Sequence, residues 1–158
     1  MTILDKARAG QNALEGIANA IPGFKGYRDK ELRRDADRLE REHLAGQLEA
    51  CKKGLNDAAA AASRSGALDS INDIETARKR LDKVVARIRY ADRGYSGFFD
   101  TVKVDEAALA RVYEFDMGLV EDANGIAAAG NDVKAMIARL DAMDGRLSER
   151  EAILSGIR

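Results

Sequence analysis

A chain of 158 residues with 26 Lys and Arg against 27 Asp and Glu has a formal net charge of −1. This balance argues against the basic excess of a dedicated nucleic-acid binder and against an acidic solvating tail. Proline occurs once, Trp is absent and Cys51 is the single cysteine, which points to one all-α domain with a thin aliphatic core and no internal disulfide.

In chain order, Ile3, Ala7, Gly10, Leu14, Ile17 and Ile21 recur at steps of four and three. They share one face of a helix over residues 2–21, with Thr2 as N-cap, Asp5 three positions later, and Pro22-Gly23 as the stop. A second helix is predicted over 28–65, with a seam of Leu32, Ala36, Leu39, Leu44, Leu48, Cys51, Leu55, Ala58 and Ala62. The five-residue step from Leu39 to Leu44 is a phase slip, implying a local change of supercoil or of partner. Ser63, Ser65 and Gly66 end this helix.

A third helix is predicted over 70–93, opened by a Ser70–Asp73 capping box and carrying Ile71, Ile74, Leu81, Val84 or Val85, and Ile88. A loop from Gly94 to Val104 follows. Asp105 is the expected next N-cap, with Val104 and Leu109 at the spacing of a hydrophobic staple. Beyond it one register runs through Ala108, Val112, Phe115, Leu119, Ile126, Ala129, Val133, Met136, Leu140, Met143, Leu147 and Leu154, interrupted by Asp122 and Arg150. The unbroken phase favours one long helix. Four glycines and the Gly130-Asn131 pair oppose it, and the balance falls to a break or kink there, giving helices over 105–129 and 131–156. The expected architecture is an elongated four- or five-helix bundle with antiparallel, coiled-coil-like hairpins.

Two turns share one pattern: Gly, aromatic, any, Gly, aromatic, any, Asp. They run Gly23 to Asp29 and Gly94 to Asp100. Glycine supplies positive φ in such turns. The preferred reading makes Phe24, Tyr27, Tyr95, Phe98 and Phe99 corner residues folded over helix ends; the other reading makes them an exposed patch that grips a partner.

Residue patterns with chemical meaning are sparse. Glu40 and His43 have the Glu-x-x-His spacing of di-iron bundles, but those sites need two such pairs and this chain has one histidine. Cys51 and His43 lie about 12 Å apart along one helix, too far for a nucleophile pair, and Cys51 reads as a buried, inert thiol. No phosphate-binding glycine loop is present. The sequence therefore assigns no catalytic residue, no cofactor and no metal ligand.

The mixed-charge run Arg28 to Glu42 reads as a solvated helix with i,i+4 pairs. Residues 78–93 carry a net +5 and 105–122 a net −5. An antiparallel hairpin of these two segments would pair Arg78, Arg80, Lys83 and Arg87 with Glu114, Asp116 and Glu121, chiefly for register.

No apolar run approaches the about 18 residues of a membrane span, and residues 1–21 lack the continuous apolar centre of a signal peptide. A cytoplasmic location is expected. The expected role is non-catalytic: a scaffold or interaction module whose partner is a second copy or another helical protein, with no nucleic acid. One alternative is a peripheral membrane or envelope-stress protein using the N-terminal helix, although that helix lacks the Lys/Arg-rich polar face and large aromatics of surface binders. A second alternative is a metal or enzymatic site formed across a dimer.

The stretches IPGFKGYRDKELRRDADRLERE, RIRYADRGYSGFFDTVKVDEAALARVYEFD and SEREAILSGI resemble a family of uncharacterised bacterial all-helical proteins, over residues 21–157. The resemblance implies an all-helical fold and cytoplasmic location. It brings no activity, cofactor or catalytic residue.

Overall fold

A computed structural model describes residues 2–91, 96–130 and 132–156. Among them the chain forms six α-helices and one 3-10 turn, with no strand. These are α1 (Ile3–Ala20), the 3-10 turn Lys30–Leu32, α2 (Arg33–Ser65), α3 (Leu68–Arg89), α4 (Ser96–Asp100), α5 (Glu106–Ala129) and α6 (Val133–Gly156).

Local chemistry sets most of these limits. Thr2 and Asp5 form the reciprocal cap of α1: the Thr2 hydroxyl accepts the Asp5 N–H at 3.1 Å, and the Asp5 carboxylate accepts the Thr2 N–H at 3.0 Å. Asp105 caps α5 by accepting the Ala108 N–H at 2.7 Å. Gly66 closes α2 at φ +73°, its N–H turned to the Ala62 and Ser63 carbonyls.

Gly130 adopts φ +56° and separates α5 from α6, so the continuous helix does not form. Asn131, the expected cap, lies outside the described residues, and Asp132 accepts the Ala135 N–H at 3.1 Å. The Ser70–Asp73 box is not used. The Gly66-Ala67 turn is so tight that α3 starts at Leu68, with Ala67 as a cap lacking a side-chain bond. The loop expected over 94–104 contains the short helix α4.

Two hairpins, α2/α3 and α5/α6, stack into a four-helix ring in which α2 touches α3 and α5, and α6 touches α3 and α5. Side-chain register gives the directions. Gln47 meets Asn124 while Tyr27 and Glu40 meet Asp116, so α2 runs parallel to α5. Lys83 meets Asp144 while Arg87 meets Glu151, so α3 runs parallel to α6. The antiparallel α3/α5 hairpin expected from charge is thus corrected. The connection through α4 carries the chain across the end of the bundle, and α3 faces α6 instead.

The α1 helix lies on the outer side of α5. The two approach so closely at Gly10 that a Cβ there would overlap Ala110. Because α5 is covered by α1, α2 and α6, its buried arc is wider than one seam and takes in Tyr113, Asp116, Val120 and Ala123 beside Val112, Leu119 and Ile126. Three expected seam residues are exposed, Ala7 among them. Ile3 is 87% exposed and Leu32, in the 3-10 turn, 45%.

Gly10→Ala should destabilise the protein by about 1–3 kcal/mol through overpacking at the α1/α5 crossing. Gly46→Ala, at a helical position with nothing within 4 Å of the new methyl, should stabilise it by about 0.5–1 kcal/mol. Urea unfolding of both variants checks the pair of signs.

A sealed ionic network as the candidate functional site

The two Gly-aromatic turns meet at one end of the bundle. Gly23 (φ +86°) and Gly26 (φ +91°) reverse the chain after α1 and drive Tyr27 inward. Gly26 leaves no room for a side chain: a Cβ would lie 2.6 Å from the Tyr113 hydroxyl. That hydroxyl accepts the Tyr27 N–H at 2.9 Å, and the two rings stack at 5.8 Å. Phe24 and Phe98 each pack edge-on to the Tyr27 ring, at 5.6 and 5.4 Å, and Phe99 packs on Phe98. All four turn aromatics are buried, so they form no exposed patch. Tyr95 lies outside the described residues. Arg33 links the turns, donating to the carbonyls of Tyr27 at 2.8 Å and Thr101 at 2.6 Å with its guanidinium over the Phe98 ring.

Beneath these rings lies a cluster of ionisable groups. The Tyr27 hydroxyl donates to Asp116 at 2.7 Å. Arg150, from α6, donates through Nε to Asp116 at 2.7 Å and through Nη2 to Asp37 at 2.8 Å and to Glu40 at 3.3 Å. One guanidinium thus holds carboxylates from α2 and α5 together. Arg41 donates to Asp37 at 2.7 Å and to the carbonyls of Ile88 and Arg89 at 3.1 and 2.8 Å. It therefore also satisfies the C-terminal end of α3, where a cation is favoured. Tyr27, Glu40 and Asp116 are 0% exposed, Asp37 1% and Arg150 3%.

The protonation pattern follows from this closure. Burial pushes the Glu40 carboxyl well above the ordinary carboxylate range, and the adjacent Asp116 adds to it. As a neutral acid Glu40 can donate to the Asp116 carboxylate, with which it shares a hydrogen bond. Its Oε1 is buried and has no partner, the costly arrangement for a charged oxygen. Burial and the neighbouring Asp116 and Glu40 likewise hold the Tyr27 phenol protonated. Burial opposes the Arg150 charge, but the oxygens of Asp116, Asp37, Tyr27 and Glu40 outweigh it and raise its pKa.

This arrangement overturns the solvated-helix reading of residues 28–42: Arg33, Asp37, Glu40 and Arg41 all face inward. They stand in phase with Leu44, Ala45 and Leu48, so the slip between Leu39 and Leu44 is the place where buried charge replaces aliphatic side chains. Arg150, which interrupts the last seam, is the centre of the network. The signal was present as helical phase and was masked by residue type.

The other expected residues are placed as follows. Arg80 pairs with Asp141, Lys83 with Asp144, and Arg87 with Asp144 and Glu151, all on α6. Arg78 bonds Glu75 on its own helix and Asn56 of α2. Asp116 is in the network, while Glu114 and Glu121 are exposed; neither helps to neutralise α3. His43 and Cys51 are half-buried; Cys51 is less enclosed than expected, and burial raises its thiol pKa. Among the described residues no three His, Cys, Asp or Glu side chains are arranged to hold a metal ion.

Replacing Arg150 with Met should cost about 3–5 kcal/mol, because it leaves buried carboxylates without their cation. Tyr27→Phe should cost about 1–3 kcal/mol by removing the Asp116 partner. Denaturant unfolding checks both. Because burial and Asp116 raise the Glu40 pKa in the folded state, the folded chain keeps this proton to higher pH than the unfolded chain does. This contribution is therefore complete at low pH and is lost as pH rises through the elevated folded pKa. Glu40→Gln should flatten that decline, so its melting temperature should gain on wild type as pH rises above the ordinary carboxyl range; an unchanged gap would refute a raised Glu40 pKa.

Comparison of the chain with protein-family models, with curated proteins and with solved structures gives no match.

Proposed function

We propose that this protein is a non-catalytic helical scaffold of the cytoplasm, an interaction module that associates with copies of itself or with another helical protein. The observation that carries this reading is the distribution of polar and apolar groups. The convergent ionisable side chains are engaged with one another and closed to solvent, where no substrate reaches them. Large apolar side chains, by contrast, stand in solvent at Ile3, Leu4, Leu68 and Val102, each more than two-thirds exposed. Surface apolar groups grouped at the ends of a bundle favour association.

The membrane-surface alternative draws less support. The packed face of α1, with Gly10, Ala13 and Ile17 buried, is already taken up by α5, and no described helix is long and apolar enough to cross a membrane.

Light scattering coupled to size exclusion across a wide concentration range tests the reading. The average mass is expected to rise above that of a monomer as concentration rises. A strict monomer throughout would overturn self-association.

A further inference from the structure

The two hairpins are out of step. With Gln47 level with Asn124, α5 ends about level with Lys52, and the rest of α2 continues past it by about 13 residues, close to 20 Å at 1.5 Å per residue. The α2/α3 tip therefore overhangs the α5/α6 turn, most deeply beside α5; the Arg80–Asp141 and Lys83–Asp144 pairs put Val133 about level with Asn72, so α3 passes the start of α6 by only about four residues. Beneath the overhang is a cavity of about 670 Å³, floored by Ala58, Ala62 and Ile74, with Asp57, Asp73 and Asp132 on its walls against one base, Lys134. Asp57 and Asp73 have no ion-pair partner among the described residues. Small alanine side chains let another helix approach closely.

At the opposite end α1 overhangs in turn. Gly10 sits against Ala110 and Gly16 against Met117, so α1 runs parallel to α5 and its first turn projects beyond Glu106, the first residue of α5. That turn presents Ile3, Leu4 and Ala7 to solvent on one face, flanked by exposed Lys6 and Arg8. Asp5 is turned back onto Thr2 as its cap.

We propose that the shelf under the α2/α3 tip receives the projecting first turn of α1 from a second copy of this chain, in a head-to-tail contact. Ile3 and Leu4 enter the alanine-floored cavity, and Lys6 and Arg8 meet Asp57, Asp73 and Asp132. The match is one of size, apolarity and charge. Because donor and acceptor surfaces lie at opposite ends, the contact is heterologous and propagates into chains rather than closing as a two-fold dimer. This assignment rests on the self-association reading above and names its surface.

Two surface variants test it, each first checked for wild-type helicity and melting. Ile3→Glu with Leu4→Glu removes the projecting turn but keeps the shelf. Asp57→Lys with Asp73→Lys reverses the shelf but keeps the turn. Sedimentation velocity should find each variant monomeric at concentrations where wild type assembles. Their equimolar mixture should form a species of about twice the monomer mass that does not grow further, since each partner supplies one intact surface. Assembly persisting in either variant, or a mixture that stays monomeric while wild type assembles, overturns the head-to-tail contact and leaves self-association standing. Wild type that is monomeric at every concentration overturns both the contact and self-association.

Discussion

The arrangement of this bundle depends on one guanidinium. Arg150 reaches from α6 to carboxylates of α2 and α5 and lies within 3.3 Å of the Tyr27 hydroxyl that the first turn delivers. Removing four or more charged or polar groups from water is expensive, and their mutual attraction offsets that expense only when every group finds its partner. A bundle with α5 and α6 exchanged, or slipped by one turn, would leave Asp37, Asp116 or Arg150 buried alone. The network is thus a weak source of net stability and a strong discriminator between packings that aliphatic stripes alone would leave close in energy.

The same logic extends along the bundle. Arg80 and Lys83 pair with Asp141 and Asp144 of α6 at one register, and Arg87 spans Asp144 and Glu151. Such exposed pairs contribute only about 0–1 kcal/mol each. Their consequence is to reinforce the parallel α3/α6 neighbourhood that the buried network selects. On α5, Gly118 and Gly125 clear the surface so that Arg146 and Arg139 of α6 can lie across it, and Arg146 then reaches Asp122 at 2.6 Å. The Asp122 break in the apolar seam is therefore another interhelical pair, half-open to solvent where Arg150 is closed.

Some of the candidate site was legible and some was not. The turn repeat singles out Tyr27 and Phe98 in the sequence, because two glycines flanking aromatics is an unusual demand on the backbone. Asp37 and Arg41 carry no such signal, and Glu40 stands out only by its spacing to His43, although all three keep the helical phase of Leu44 and Leu48. Mixed charge on a helix normally means a solvated face, and only a count of phase that ignores residue type would have placed them inside. The pairing of α3 was misread for a different reason. Opposite net charge in consecutive helices suggested a hairpin, but α6 carries acids at matching spacing as well, and sequence proximity does not choose between two complementary faces.

The amino-acid sequence by itself determined the five long helices, the capped starts of α1 and α5, and the breaks at Pro22, Gly66 and Gly130, since hydrogen bonding within a few residues and steric limits on φ decide these locally. Tertiary structure decided the ring order, the parallel stacking of the hairpins, the raised pKa of Glu40 and the shelf under the α2/α3 tip. Those depend on which groups lose water together, a property of residues distant in the chain that no local pattern contains.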